Sequence, residues 1–134
     1  MSRSEPPRRA AQQERSRRTE QRILQASIDM LSEFGEAGIT MSAVSERAGV
    51  SVGSIYRRFG SRAELLIAMS DAFAQGFSRE LQQRLDSADP GDLSTPEGVI
   101  RHATVSLGRL FEQNAAPLGR LLLLGLNEPA IFAK

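Results

Sequence analysis

The stretch from Thr40 to Phe59 allows few folds. Met41 to Ala48 carries apolar residues at helical spacing, and Gly49 interrupts it. A second short segment then runs to Arg58 or Phe59 before Gly60 interrupts again. Thr40 and Ser51 stand just ahead of the two segments, where a hydroxyl oxygen accepts from the free N–H groups of a first helical turn. The residues between, Ala48-Gly49-Val50-Ser51, read as a tight turn. Glycine supplies a permissive backbone, and valine fills the angle between two short helices that cross steeply. Neither segment is long enough to hold a helix alone in water, so both need a platform of longer helices.

That platform is legible on both sides. Ile23, Leu24, Ser27, Met30, Leu31 and Phe34 form one stripe of a first helix over residues 16–34. Gly35 and Gly38 end it. Ser61-Arg62-Ala63-Glu64 has the form of a capping box and opens a long helix to about residue 86, marked by Leu65, Leu66, Met69, Phe73, Phe77, Leu81 and Leu85. After the loop Asp89-Pro90-Gly91-Asp92, Thr95-Pro96 starts another helix, with Val99, Ile100, Ala103, Leu107, Leu110 and Phe111 on its apolar side. A last helix runs from Pro117 through Leu126. Strict alternation is absent, so the fold class is all-α: a three-helix helix-turn-helix domain, a long connecting helix, and a partial helical ligand or dimerisation domain. Residues 1–15, with Pro6-Pro7 and Arg8-Arg9 and no apolar stripe, read as a flexible basic arm. Residues 16–62 are the helix-turn-helix domain, and residues 63–134 an incomplete helical regulatory domain.

Net charge is only +1, but it is unevenly spread. Residues 1–62 hold 11 Arg against 7 acidic residues, and residues 63–134 hold 5 Arg and 1 Lys against 9. A basic front half suits a polyanion. Cysteine is absent, histidine and tyrosine occur once each, and no glycine-rich phosphate loop is present. Nothing assembles a nucleophile, base and oxyanion donor, so an enzyme is not expected. No metal site or cofactor is expected either: His102 lacks partners, and a surface or pocket-lining position suits it. The apolar run Leu121–Leu124 is too short to cross a bilayer, and the front of the chain has no signal-peptide core. The expectation is a cytoplasmic protein without membrane contact.

Several residues together carry a more specific likeness: Ile23-Leu24-Gln25-Ala26-Ser27, Gly35, Thr40, Val44, Ala48-Gly49-Val50-Ser51, Gly53-Ser54-Ile55-Tyr56, Phe59, Ser61-Arg62 and Leu65-Leu66. At these offsets, without a gap over residues 17–66, they resemble the DNA-binding domain of the TetR family. Departures are Ser45 for the usual alanine, Ile39 for a common threonine, Arg62 for lysine, and Arg57-Arg58 for an aromatic or histidine pair. The Ser45 and Ile39 changes read as small adjustments of packing.

Position then suggests roles. Val52, Gly53 and Ser54 lie in the first turn of the second helix, the part that meets base edges. Valine offers apolar contact and serine discriminates poorly, whereas Arg57 is suited to bidentate guanine readout. Tyr56 is placed for a phosphate or for packing, and Arg57 and Arg58 for DNA or for a solvated face. Thr40, Ser51 and Arg62 sit at helix N-termini, where backbone N–H groups attract phosphate. Arg15, Arg17 and Arg18 can add nonspecific phosphate contacts. The resemblance implies a sequence-specific regulator, a ligand-responsive repressor, that pairs as a homodimer on a double-stranded operator and releases it when a small-molecule effector binds. Leu107, Phe111, Leu118 and Leu122 are candidates for the effector pocket, or core. With about 72 residues after residue 62, the expectation is a shortened regulatory domain, a weak or non-native dimer, and Leu121–Leu124 partly uncovered. The alternative reading is a helical protein-interaction module, or a truncated regulator without a specific operator.

Overall fold

The computed structural model describes residues 7–131 and Ala133. Among them there is no strand, and the helices are α1 (Pro7–Phe34), α2 (Met41–Ala48), α3 (Val52–Phe59), α4 (Arg62–Asp86), α5 (Pro96–Gln113) and α6 (Ala115–Asn127). Short 3-10 turns occupy Glu36–Gly38, Asp92–Ser94 and Pro129–Ile131. The chain divides into two units, one ending at Met69 and one beginning at Ser70.

The front of the chain differs from the expected flexible arm. Residues 1–6 of that arm lie outside the described residues, and residues 7–15 are helix, continuous with the rest of α1. The physical reason is local. Proline suits a first helical turn, and the arginines, alanines, glutamines and glutamate that follow are strong helix formers. Arg18 Nε donates to Glu14 Oε1 at 3.0 Å, a pair four residues apart that supports the turn. The missing apolar stripe reports exposure, not lack of structure.

In the first unit α1 buries Ile23, Ala26, Ser27, Met30 and Leu31. They meet Ile39, Met41, Val44 and Ala48 before the turn, Ile55 of α3, and Leu65, Leu66 and Met69 of α4 in one aliphatic core. Each large member contributes about 1.5–3 kcal/mol by leaving water. Ser27 is tolerated there because its hydroxyl donates to the Ile23 carbonyl at 2.9 Å. Phe34, expected on the stripe, is instead 62% exposed, because the helix ends beside it. Arg47 of α2 donates both guanidinium arms to the Glu33 carboxylate of α1. That hydrogen bonding holds the Glu33 carboxyl below the usual carboxylate range.

In the second unit Thr95 caps α5, accepting from the Gly98 N–H at 3.1 Å. A Cβ at Gly98 would lie 2.0 Å from the Asp92 carbonyl oxygen, so the Asp92–Ser94 turn closes against α5 only over glycine. The inward row of α5 is Gly98, Ser106 and Leu110. Of the apolar side expected from periodicity, Val99, Ile100, Leu107 and Phe111 are exposed. Spacing tells which residues share a side, but not whether anything covers it. α6 starts two residues before Pro117 and buries Leu121 and Leu124, leaving Leu122 and Leu123 exposed. His102 is half-buried, with Nε2 2.9 Å from the Arg84 carbonyl near the end of α4.

Two glycines separate backbone strain from ordinary helix propensity. Gly49 sits at φ 66, ψ 38, where a Cβ costs about 1–2 kcal/mol. Gly76 lies inside α4, and a Cβ there meets nothing within 4 Å. Gly49→Ala is expected to lower the urea midpoint, whereas Gly76→Ala raises stability by roughly 0.5–1 kcal/mol. A midpoint for Gly49→Ala at or above the parent's would contradict the turn geometry.

Candidate nucleic-acid interface

The site is built outward from its turn. Thr40 caps α2 by accepting from the Ala43 N–H at 3.1 Å, and Ser51 caps α3 by accepting from the Ser54 N–H at 3.1 Å. Between them Gly49 turns left-handed, and the Val50 N–H reaches back to the Ser45 carbonyl at 3.1 Å. This backbone bond closes the end of α2 in the manner of a Schellman motif. Two side chains reinforce it. The Ser45 hydroxyl donates to the Val50 carbonyl at 2.5 Å. Arg22, from α1, donates Nη2 to the carbonyls of Ala48 at 2.9 Å and Gly49 at 3.3 Å. Ser45, read from sequence as a small packing change, is therefore a polar clamp on the turn.

α3 is divided lengthwise. Ile55 is fully buried, and Val52, Ser54, Arg58 and Phe59 are half-buried. Ser51, Gly53, Tyr56 and Arg57 are exposed, with Tyr56 at 48%. Gly53, Tyr56 and Arg57 stand three and four residues apart, so they share one outward side. Arg57 folds back along the helix, with Nη1 only 3.7 Å from where a Gly53 Cβ would sit. Its guanidinium therefore lies over the first turn of α3, the end of such a helix that meets base edges.

The other two arginines point elsewhere. Arg58 donates Nη1 to the Ser16 hydroxyl at 2.8 Å and to the Ser16 carbonyl at 3.2 Å, while its buried Nε has no hydrogen-bond partner among the described residues. Arg62 donates Nε to the Ile39 carbonyl at 2.7 Å and Nη2 to the Glu36 carbonyl at 2.9 Å, and stands 3.6 Å from the Glu36 carboxylate. Both guanidiniums are engaged within the fold, whereas the sequence points Arg62 toward phosphate and Arg58 toward DNA or a solvated face. Thr40 is exposed beside the N-terminus of α2, on the other helix of the motif. Sequence reasoning missed Arg22 and Ser45. Arg22 acts across 26 residues of chain, and no local spacing announces that.

The effector-pocket candidates are split. A hollow of about 230 Å³ in the second unit is lined by Ser70, Phe73, Ala74, Phe77, Ser78, Leu118, Leu121 and Leu122. Leu118 and Leu122 belong to it, whereas Leu107 and Phe111 do not. The Phe111 ring instead meets the Phe77 ring edge-on, with centroids 5.6 Å apart. Among the described residues no cluster of histidine and carboxylates can hold a metal ion. No helix of the described residues is long and apolar enough to cross a membrane.

Two short helices at a glycine turn, the second with one side buried and one side open, define a helix-turn-helix domain. Residues 23–69 match the family described as bacterial regulatory proteins, tetR family, so the chain carries a domain of that kind. The HTH-type transcriptional repressor KstR of Mycolicibacterium smegmatis is 42% identical over 120 residues, covering 90% of this chain and 54% of the repressor. KstR of Mycobacterium tuberculosis is 34% identical over 120 residues, again 90% of this chain and 50% of its own length. The chain thus spans about half the length of these curated relatives. The crystal structure of the multidrug binding protein EbrR complexed with imidazole aligns with 83% of this chain and 58% of its own, at TM-score 0.60 and 26% identity.

Stability measurements distinguish the arginines. Arg62→Ala removes two hydrogen bonds from a charged donor, and after allowance for partial exposure it is expected to lower unfolding free energy by roughly 1–2 kcal/mol. Arg57→Ala is expected to stay within ~0.5 kcal/mol of the parent. Equal losses in urea unfolding would show that Arg62 is not a brace.

Proposed function

We propose that this chain is a sequence-specific DNA-binding regulator of transcription, a repressor that reads a double-stranded operator through α3. The observation that carries this reading is the outward side of α3, with Gly53, Tyr56 and Arg57 open to solvent while Ile55 anchors the opposite side. The flatness left by Gly53 lets a helix approach closely, and Arg57 supplies two parallel donors for a guanine edge. Tyr56, Thr40 and Ser51 serve the phosphate backbone beside it, with the backbone N–H groups at the starts of α2 and α3. The family match and the repressor names of the KstR relatives support the same reading.

The proposal extends to the second unit. The apolar hollow lined by Phe73, Phe77, Leu118 and Leu122 suits a compact apolar effector, being smaller than the ~300–1,000 Å³ of drug-sized sites. The multidrug binding named for EbrR supports a small-molecule effector of this kind. Two copies pairing on a near-palindromic operator would set their α3 helices about one DNA turn apart, ~34 Å. The protein acts in the cytoplasm, where such an operator is found.

Selection from a random duplex pool, followed by titration at several salt concentrations, tests the reading. The parent should enrich one motif and bind it with log affinity falling steeply against log salt. Arg57→Ala should relax one position of the motif, losing about 1–3 kcal/mol of discrimination there. Tyr56→Phe should weaken all sequences about equally, because phosphate contacts position without specifying. An unchanged motif with Arg57→Ala would sink the base-reading role. A flat salt dependence would sink DNA binding altogether.

A further inference from the structure

We infer that the exposed N-terminal turns of α1 are a second DNA-contacting element, a helical basic arm that grips the phosphate backbone beside the half-site read by α3. The inference rests on the reading above, in which α3 enters the DNA. From Pro7 to Arg18 every residue of α1 is exposed, and Pro7, Ala10 and Ala11 are its only apolar members. Five arginines, Arg8, Arg9, Arg15, Arg17 and Arg18, stand against the single acid Glu14. Glu14 is taken up by Arg18, and among the described residues Arg8, Arg9, Arg15 and Arg17 form no ion pair. Packing against this protein's own core does not account for such a segment.

The arm is joined to the recognition helix. Arg58, in the last turn of α3, holds both the hydroxyl and the carbonyl of Ser16. Arg9, Gln12, Gln13 and Ser16 line one shallow hollow, and Arg8, Ala11, Gln12 and Arg15 line a second that shares Gln12. One polar, basic surface therefore continues from the Ser16 anchor toward Pro7. Nine residues of helix beyond that anchor extend ~14 Å, more than the ~12 Å width of a major groove. A helix set in the groove can so carry its arm to the phosphates that bound it. The glutamines are donors to phosphate oxygens, and the arginines release counterions on contact. A membrane surface is a poorer partner, because an interfacial helix needs an apolar face and this one has none.

The experiment compares the parent with the R8A/R9A/R15A variant, whose alanines preserve helix propensity, as circular dichroism checks. Each is titrated with salt on the motif the parent selects, once trimmed to the motif's edges and once with ten flanking base pairs. On the flanked duplex the variant's slope of log affinity against log salt should be shallower by about two to three, ~0.9 for each phosphate left unneutralised. The selected motif should stay the same, the two proteins should converge on the trimmed duplex, and R8K/R9K/R15K should restore the slope. An unchanged slope and affinity on the flanked duplex overturns the arm while leaving the α3 reading intact. Unchanged DNA binding together with loss of binding to phosphatidylserine vesicles also overturns it, in favour of a membrane partner. If the parent selects no motif, the DNA reading fails and the arm fails with it.

Discussion

Gly49 adopts a backbone conformation that puts α3 at its angle to α2, and the fold invests several independent interactions in holding it. The Val50 N–H closes on the Ser45 carbonyl, the Ser45 hydroxyl closes on the Val50 carbonyl, and Arg22 reaches across from α1 to the carbonyls of Ala48 and Gly49. These bonds matter because α2 and α3 are eight residues each, too short to persist without tertiary support. The aliphatic core under Val44 and Ile55 supplies adhesion but little direction. Direction comes from the polar clamp, since hydrogen bonds are geometrically selective where apolar contacts are not.

Three arginines close together in sequence show how one residue type is assigned different work by its surroundings. Arg57 lies along the open side of α3, Arg58 turns to α1, and Arg62 secures the Glu36–Gly38 turn to the start of α4. A basic count over residues 57–62 would credit all three to an anion, yet two guanidiniums neutralise carbonyl dipoles inside the domain. The five donors of guanidinium explain this versatility. At position 62 a lysine would offer no planar fork with which to span the Ile39 and Glu36 carbonyls at once.

Much of the helical framework is legible in the sequence because it is written locally. Thr40, Ser51 and Thr95 announce their helix starts through capping, and glycine after Ala48 announces the turn. The boundaries of α4 and α5 follow from one capping box, proline and loop residues. What stays hidden depends on distance in sequence or on the presence of a partner surface. Arg22 and Arg58 act through residues 26 and 42 positions away. The exposure of Ile100 and Phe111 cannot be read from their spacing, which is that of a buried stripe. The arm of α1 misleads for the opposite reason: a helix with no apolar stripe looks like coil to any argument based on periodicity, although its residues favour helix on their own.

α1 is one helix in shape but two in thermodynamic terms. Beyond Thr19 toward the C-terminus it is held by buried side chains, and its opening is tied to that of the whole core. From Pro7 to Arg15 it has, among the described residues, only bonds within the helix, and a free helix of that length is marginal in water. The Ser16–Arg58 contact marks the border between these regimes. Its strength is limited by the buried Arg58 Nε, which has no hydrogen-bond partner among the described residues, since an unmet buried donor opposes the bonds formed beside it. Fraying of α1, where it occurs, is therefore expected to start at its amino end and to stop near Ser16, so that holding those first turns straight against a partner draws on conformational entropy.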